Sequence, residues 1–224
     1  EYFKKAAIKL FAKKIDQEIM NEIRGIADGA KKAGVNVSWQ DVLTWNVYYE
    51  LLDYWWPNQE EGKFSEGNSS GRGHCSAFIA TGSATADGEI VMAHNSWCNF
   101  TMGQFMNEIL DIVPEKGHRM FMQSLPGYVY SMTDFFITSA GIVGTETTIG
   151  GFKVYNPDGS PEFYRVRKAM QYGNTLDDFV KIMVKNNTGG YANSWLIGNI
   201  KTGEIMRFEL GLKYYSITKK KNGY

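Results

Sequence analysis

A chain of 224 residues is long enough for one large domain or two small ones, and its 43% hydrophobic and 14% aromatic content is that of a globular protein with a sizeable core. The 24 basic side chains balance the 24 acidic ones, so charge gives no reason to expect nucleic acid as a partner, and no apolar run is long enough to span a bilayer as a helix. Two cysteines, Cys75 and Cys98, make no disulfide framework, and three histidines without clustered Cys/His spacing argue against a resident metal; no cofactor is expected either.

Ile8, Phe11, Ile15, Ile19, Ile23, Ile26 and Ala30 recur at helical spacing, which predicts one long amphipathic helix over residues 4–32, ended near Gly34. Ser38 with Asp41 three residues on reads as a capping box. It opens a second helix through Val42, Leu43, Trp45, Tyr49, Leu52 and Trp55 up to Pro57. The aromatic stripe of this helix reads first as a packing surface and second as the lining of a pocket. Residues 58–74 are Gly, Ser, Glu and Asn without periodicity: a linker, whose composition also suits an accessible cleavage segment.

From Ser76 the pattern turns from helical to strand period. Residues 76–82 and 89–96 form a hairpin around Asp87-Gly88. Residues 105–113 and 119–124 follow as strands, then 134–149 as two strands broken at Gly141. Pro161 and Gly173 bracket a helix, and Thr175 with Asp178 caps another carrying Leu176, Phe179, Ile182 and Met183. Residues 192–198 and 204–210 make a hairpin across Lys201-Thr202-Gly203, and 214–217 is a last strand. Strands in the middle with helices outside give an α+β class. The chain divides into a helical region 1–57, a cleavable linker 58–74 and a core 75–224.

Chemistry centres on Cys75, which sits where the linker becomes strand. A cysteine attacks as thiolate, and a free pKa of about 8.5 means it needs a base. Cutting the bond between His74 and Cys75 would leave Cys75 with an α-amine of pKa about 7.7–8.0, so one residue would supply nucleophile and base together. The alternative is a buried structural cysteine. His94, on the adjacent strand, is a second base or an orienting group, against the alternative of a core histidine. Acyl chemistry also needs a donor at the developing oxyanion. Asn193 follows Gly189-Gly190 at a strand start and is either that donor or a turn former. The polar run Thr145-Glu146-Thr147-Thr148 positions substrate or nucleophile, or marks an edge strand. His118 reads as a surface turn residue and Cys98 as a small apolar packing group.

Gly73-His74-Cys75-Ser76-Ala77 with Ala93-His94-Asn95-Ser96-Trp97 resembles the maturation site of the phospholipase B-like proteins. These stand beside the penicillin acyltransferase-type autoproteolytic acyltransferases and hydrolases, among the N-terminal-nucleophile (Ntn) hydrolases. Gly144-Thr145-Glu146-Thr147-Thr148, Gly190-Tyr191-Ala192-Asn193-Ser194-Trp195 and Asn46-Val47-Tyr48-Tyr49-Glu50-Leu51 are similar to the family in the same order. The resemblance implies an αββα sandwich preceded by a helical pro-region, self-cleavage before Cys75, and Cys75 as nucleophile. It further implies His94 as active-site partner and Asn193 as oxyanion donor, with Asn95, Trp97, Glu146, Thr147 and Trp195 in substrate-binding or supporting places. Family members run past this C-terminus with an arginine-bearing segment that helps build the site, so the core is expected to be incomplete. A start at Glu1 and an end on Lys219-Lys220-Lys221-Asn222-Gly223-Tyr224 read as a trimmed product.

The resulting expectation is an autoproteolytically activated N-terminal-cysteine hydrolase or acyltransferase acting on the amide (C–N) bond of a small or lipid-like acyl substrate. The alternatives are a phospholipase B-like lipid esterase and a truncated, non-catalytic homologue that binds ligand through its aromatic helices. The pro-region fragment is expected to stay on the core after cleavage, because its apolar stripes need a partner surface. Family habit implies an exported compartment (periplasmic, extracellular or lysosome-like), which the sequons at Asn36, Asn68, Asn99 and Asn186 fit.

Overall fold

The computed structural model describes residues 1–59 and 75–224. Two helices, α1 (Tyr2–Phe11) and α2 (Gln17–Lys32), stand where the apolar spacing predicts one. Asp16 is the reason for the break: its carboxylate caps α2 by accepting from the Ile19 N–H at 3.1 Å. Phe11, Ile15 and Ile19 are all buried on both sides of the turn, so the periodicity passes through it unbroken. The turn lets α1 fold back onto α3 (Trp39–Asn46). The capping box forms as expected, with Ser38 N–H donating to Asp41 Oδ2 at 2.9 Å and Asp41 N–H to Ser38 Oγ at 3.3 Å. The chain then winds through α4 (Tyr48–Glu50), a π turn (Leu51–Trp55) and a 3₁₀ turn (Trp56–Asn58), ending one residue past the expected Pro57.

The strands fall into two antiparallel sheets. β1 (Ser76–Gly82) and β2 (Gly88–Asn95) form a hairpin. After the single turn α5 (Phe100–Gly103) comes a seven-stranded sheet in chain order. Its strands are β3 (Glu108–Ile112), β4 (Met120–Ser124), β5 (Phe135–Thr138), β6 (Ile142–Thr148), β7 (Asn193–Asn199), β8 (Glu204–Leu210) and β9 (Tyr215–Lys220). Helices α6 (Glu162–Tyr172) and α7 (Leu176–Val184) are inserted between β6 and β7. α7 covers one face: Phe179 stacks on Phe136 at 6.0 Å and meets Trp195 edge-on at 5.6 Å. Gly144 belongs to that face because any Cβ there would lie 2.2 Å from the Phe136 ring. The hairpin covers the opposite face, where Ile79 and Ile90 close over Gly198 and Val143. The architecture is α+β: helices, a seven-stranded sheet, and a hairpin on its far side.

The N-terminal helices dock on α6 and the turn before β5 through buried polar groups. The Arg167 guanidinium, 1% exposed, forks onto both Glu22 oxygens at 2.8 Å and donates to the Val129 carbonyl at 2.6 Å. Asn46 is saturated: its Nδ2 donates to the Val42 and Gly127 carbonyls at 2.9 Å each, and its Oδ1 accepts from Val129 N–H at 3.0 Å. Glu50, also buried, accepts from Glu162 N–H at 2.8 Å and Tyr155 O–H at 3.2 Å. The stretch 46–51 therefore clasps the helical region to the sheet. Asn46→Ala is expected to lower the unfolding free energy by about 1–3 kcal/mol, because it orphans a buried N–H and a carbonyl. A urea titration checks this; an unchanged midpoint would count against the clasp.

Candidate active site

In β1 the odd-numbered residues Ala77, Ile79 and Thr81 are the ones turned toward the large sheet, and the register pairs Ala77 with His94 and Ile79 with Met92. His94 therefore shares the inward face, where Cys75 continues the same alternation one residue ahead of the strand. Asp134 arrives from elsewhere. It ends the turn between β4 and β5, buried, in the left-handed region at φ 62°. Ser131 braces that turn, accepting from Phe135 N–H at 2.9 Å while donating to the Gln123 carbonyl at 2.8 Å. The result is a cluster in which the Cys75 thiol, an imidazole nitrogen of His94 and a carboxylate oxygen of Asp134 all lie within 4.8 Å of one another.

Sequence reading finds Cys75 and His94 but not Asp134, which it takes for the first residue of a strand. A lone Asp gives no local sign that the chain will turn there with positive φ. Glu146, central in the polar run of β6, lies against Asp134, and both carboxyls are buried. Of the other expected residues, Trp97 donates its main-chain N–H to Cys75 Sγ at 3.3 Å while its indole is 69% exposed. Asn95 reaches the Ser76 hydroxyl at 3.4 Å. Asn193 pairs with Thr148, two residue pairs beyond Glu146–Trp195, and so faces the same side of the sheet as Glu146. Its amide oxygen and nitrogen are buried without a hydrogen-bond partner among the described residues. Thr147, half-buried, pairs with Ser194 and faces the hairpin side, whereas Trp195 is packed into the core against Phe179. His74 and residues 60–73 of the expected cleavage linker lie outside the described residues.

Electrostatics makes this a neutral site. Burial pushes the Cys75 thiol up, partly offset by the Trp97 N–H, and burial pushes the His94 imidazole down, so the two do not form a thiolate–imidazolium pair. Burial also raises both carboxyls: Asp134 well above the carboxylate range, with the nearby Glu146 adding to it, and Glu146 up to about 7. A group whose folded pKa is raised contributes stability that is complete below its unfolded value and is lost as pH rises through the folded one. For Glu146, raised by burial, that window runs from about 4.5 to about 7. The melting temperature is expected to fall more steeply across it in the native protein than in Glu146→Gln. Thermal unfolding at stepped pH checks this, and parallel slopes would count against a raised Glu146.

A cavity of about 550 Å³ opens beside the cluster, lined by His94, Asn95, Ser96, Cys98, Met106 and Phe135 among others. That size accommodates a small organic ligand. Cys98 is not the packed apolar group expected: it is exposed on this cavity, its thiol 3.1 Å from the Met106 sulfur. His118 holds Asn174 at 3.0 Å, away from the cluster.

The sequence profile of the family described as Phospholipase B matches residues 4–211. An uncharacterised protein of Archaeoglobus fulgidus is 28% identical over 194 residues, covering 86% of this chain and 32% of that protein. Phospholipase B-like 1 of Homo sapiens is 24% identical over 200 residues, covering 82% of this chain and 36% of that protein. Phospholipase B-like 1 of Bos taurus is 28% identical over 141 residues, covering 58% and 25%. The chain thus spans only about a third or less of the length of the curated relatives it matches. No helix among the described residues is long and apolar enough to cross a membrane. With the profile running from the first helix into the turn after β8, and with the motifs around Cys75, Glu146 and Asn193 falling inside it, the chain belongs to the phospholipase B family.

Proposed function

We propose that this chain carries the nucleophile of an N-terminal-cysteine hydrolase or acyltransferase, activated by cleavage between His74 and Cys75 and acting on the amide bond of a small or lipid-like acyl substrate. The observation that carries the reading is the convergence of the Cys75 thiol, His94 and Asp134 within 4.8 Å at the head of β1. In the first reaction the Cys75 sulfur attacks the carbonyl carbon of His74. The C–N bond breaks, the nitrogen takes the thiol's proton and becomes the α-amine of Cys75, and water opens the thioester to leave a carboxyl on His74. In turnover that amine accepts the thiol proton, the thiolate attacks the substrate carbonyl, the leaving amine is protonated, and water or another acceptor takes the acyl group. The uncut site suits this order: its thiol is raised and its imidazole lowered, and the base of pKa about 7.7–8.0 that the cut places on Cys75 itself serves the later attack on substrate.

A second reading is hydrolysis of lipid esters. It is favoured by the names of the relatives, phospholipase B-like 1 among them, and the same thiol chemistry serves it. A third reading is a truncated, non-catalytic homologue that binds ligand through its aromatic helices, and an exported compartment is proposed by likeness to the family. Intact mass and N-terminal sequencing test the main reading: a fragment beginning Cys75-Ser76-Ala77-Phe78 is expected. A panel of amides and esters with matched acyl chains then separates the two activities, and a protein carrying the complete family length that stays uncut would refute self-cleavage.

A further inference from the structure

We propose that Cys75, His94 and Asp134 form a binding site for a thiophilic divalent cation, Zn²⁺ in chemical class, and that the ion masks the nucleophile while bound. The donor set is one sulfur, one imidazole nitrogen and one carboxylate oxygen, the ligands zinc takes, with three protein groups and one place left for water as in open zinc sites. Their mutual distances of up to 4.8 Å need to close to roughly 3.5 Å for tetrahedral coordination, given metal–ligand lengths of about 2.0–2.3 Å. Small side-chain torsions on three separate segments supply a movement of that size.

Several features point the same way. Two buried carboxyls, Asp134 and Glu146, stand side by side, and no lysine or arginine among the described residues pairs with either. A divalent ion between a thiolate and one carboxylate makes a neutral assembly, which is what a buried location favours. Glu146 then backs the Asp134 ligand from outside, as the outer carboxylates of metal sites do, and the Trp97 N–H already directed at Cys75 Sγ suits a thiolate ligand. Access is through the cavity that His94 lines. On binding, the ion forms a bond to sulfur, the thiol proton leaves to solvent, and the lone pair needed for attack is engaged. A soft donor set selects Zn²⁺, Co²⁺ or Cd²⁺ over Mg²⁺ and Ca²⁺. Sequence spacing hides this site, because its ligands come from the head of β1, the end of β2 and the turn before β5.

Only a thiol, an imidazole and a carboxyl in this geometry are required, so the test stands apart from self-cleavage and is read on cut or uncut protein alike. Co²⁺ titration should show one saturable site with a thiolate-to-cobalt charge-transfer band, displaced by Zn²⁺ and not by Mg²⁺. Cys75→Ala should lose the band, and His94→Ala and Asp134→Asn should each weaken binding about tenfold or more. Cys98→Ser and His118→Ala should leave both unchanged. If a variant fails to fold, the native protein still decides: Zn²⁺ should slow alkylation of Cys75 while Cys98 reacts at its metal-free rate, as mapped by mass spectrometry. A cobalt complex without the charge-transfer band, a band that survives in folded Cys75→Ala, or Cys75 alkylation indifferent to Zn²⁺ would each overturn the proposal.

Discussion

Cys75→Ala is expected to leave the chain in one piece and to lower acyl-substrate turnover by on the order of a million-fold, the scale seen when a covalent nucleophile is removed. The effect is this large because the residue enters each step twice. Its sulfur is the attacking atom in the cut and in turnover, and its nitrogen, freed by the cut, is the base that makes the sulfur a thiolate. Nothing nearby substitutes for either. His94 is held neutral by burial and has no thiol left to activate, and Cys98 lies on the cavity wall against Met106 rather than at the head of β1. Intact mass reports the first outcome and hydrolysis of an acyl amide the second. Cleavage persisting in the alanine variant would move the nucleophile elsewhere, and turnover persisting in it would show that the acyl chemistry does not pass through Cys75.

Asn193→Ala is expected to lower kcat by about 100- to 1000-fold, or roughly 3–4 kcal/mol, with KM nearly unchanged, and to slow self-cleavage in parallel. A side chain that merely shaped the turn after Gly189-Gly190 would spend its amide on nearby main chain, as Asn187 does in accepting from Gly189 N–H at 2.7 Å. Asn193 does not: it is 1% exposed and its amide finds no partner among the described residues. Burying such a group costs stability, and a donor held for a charge that appears only during reaction is a role that accounts for the cost. Because the amide makes no hydrogen bond among the described residues, its removal should hold or raise the melting temperature. A lowered melting temperature with normal turnover per folded molecule would return Asn193 to a structural role. The two measurements belong on one preparation.

How much of this was legible depended on how far apart the deciding residues lie. The capping box at Ser38, the hairpin at Asp87-Gly88, the Pro161–Gly173 helix and the Thr175 cap are short-range devices, and all appear where the sequence places them. The helix over residues 4–32 did not, because apolar period reports which side of a helix is buried and is blind to a turn that keeps the same side buried. Asp16, the residue that caps the start of α2, looks in sequence like one more polar position on the exposed face. The aromatic stripe of the second helix was legible as packing, and the structure uses it so: Trp45 lies 5.2 Å from Tyr128, and the Tyr54 hydroxyl accepts from Ala192 N–H at 3.1 Å.

The class of fold and the hairpin that follows Cys75 and carries His94 were legible in the sequence, because strand period and turn residues are local signals. The tertiary structure alone decided the company the Cys75 thiol keeps. Asp134 reaches it only because a turn far along the chain adopts a left-handed residue over the end of the hairpin. The carboxyls of Asp134 and Glu146 are pushed up only because packing excludes water from both at once. Burial and charge proximity are properties of the assembled layers; they belong to no segment of the chain, and so no segment announces them.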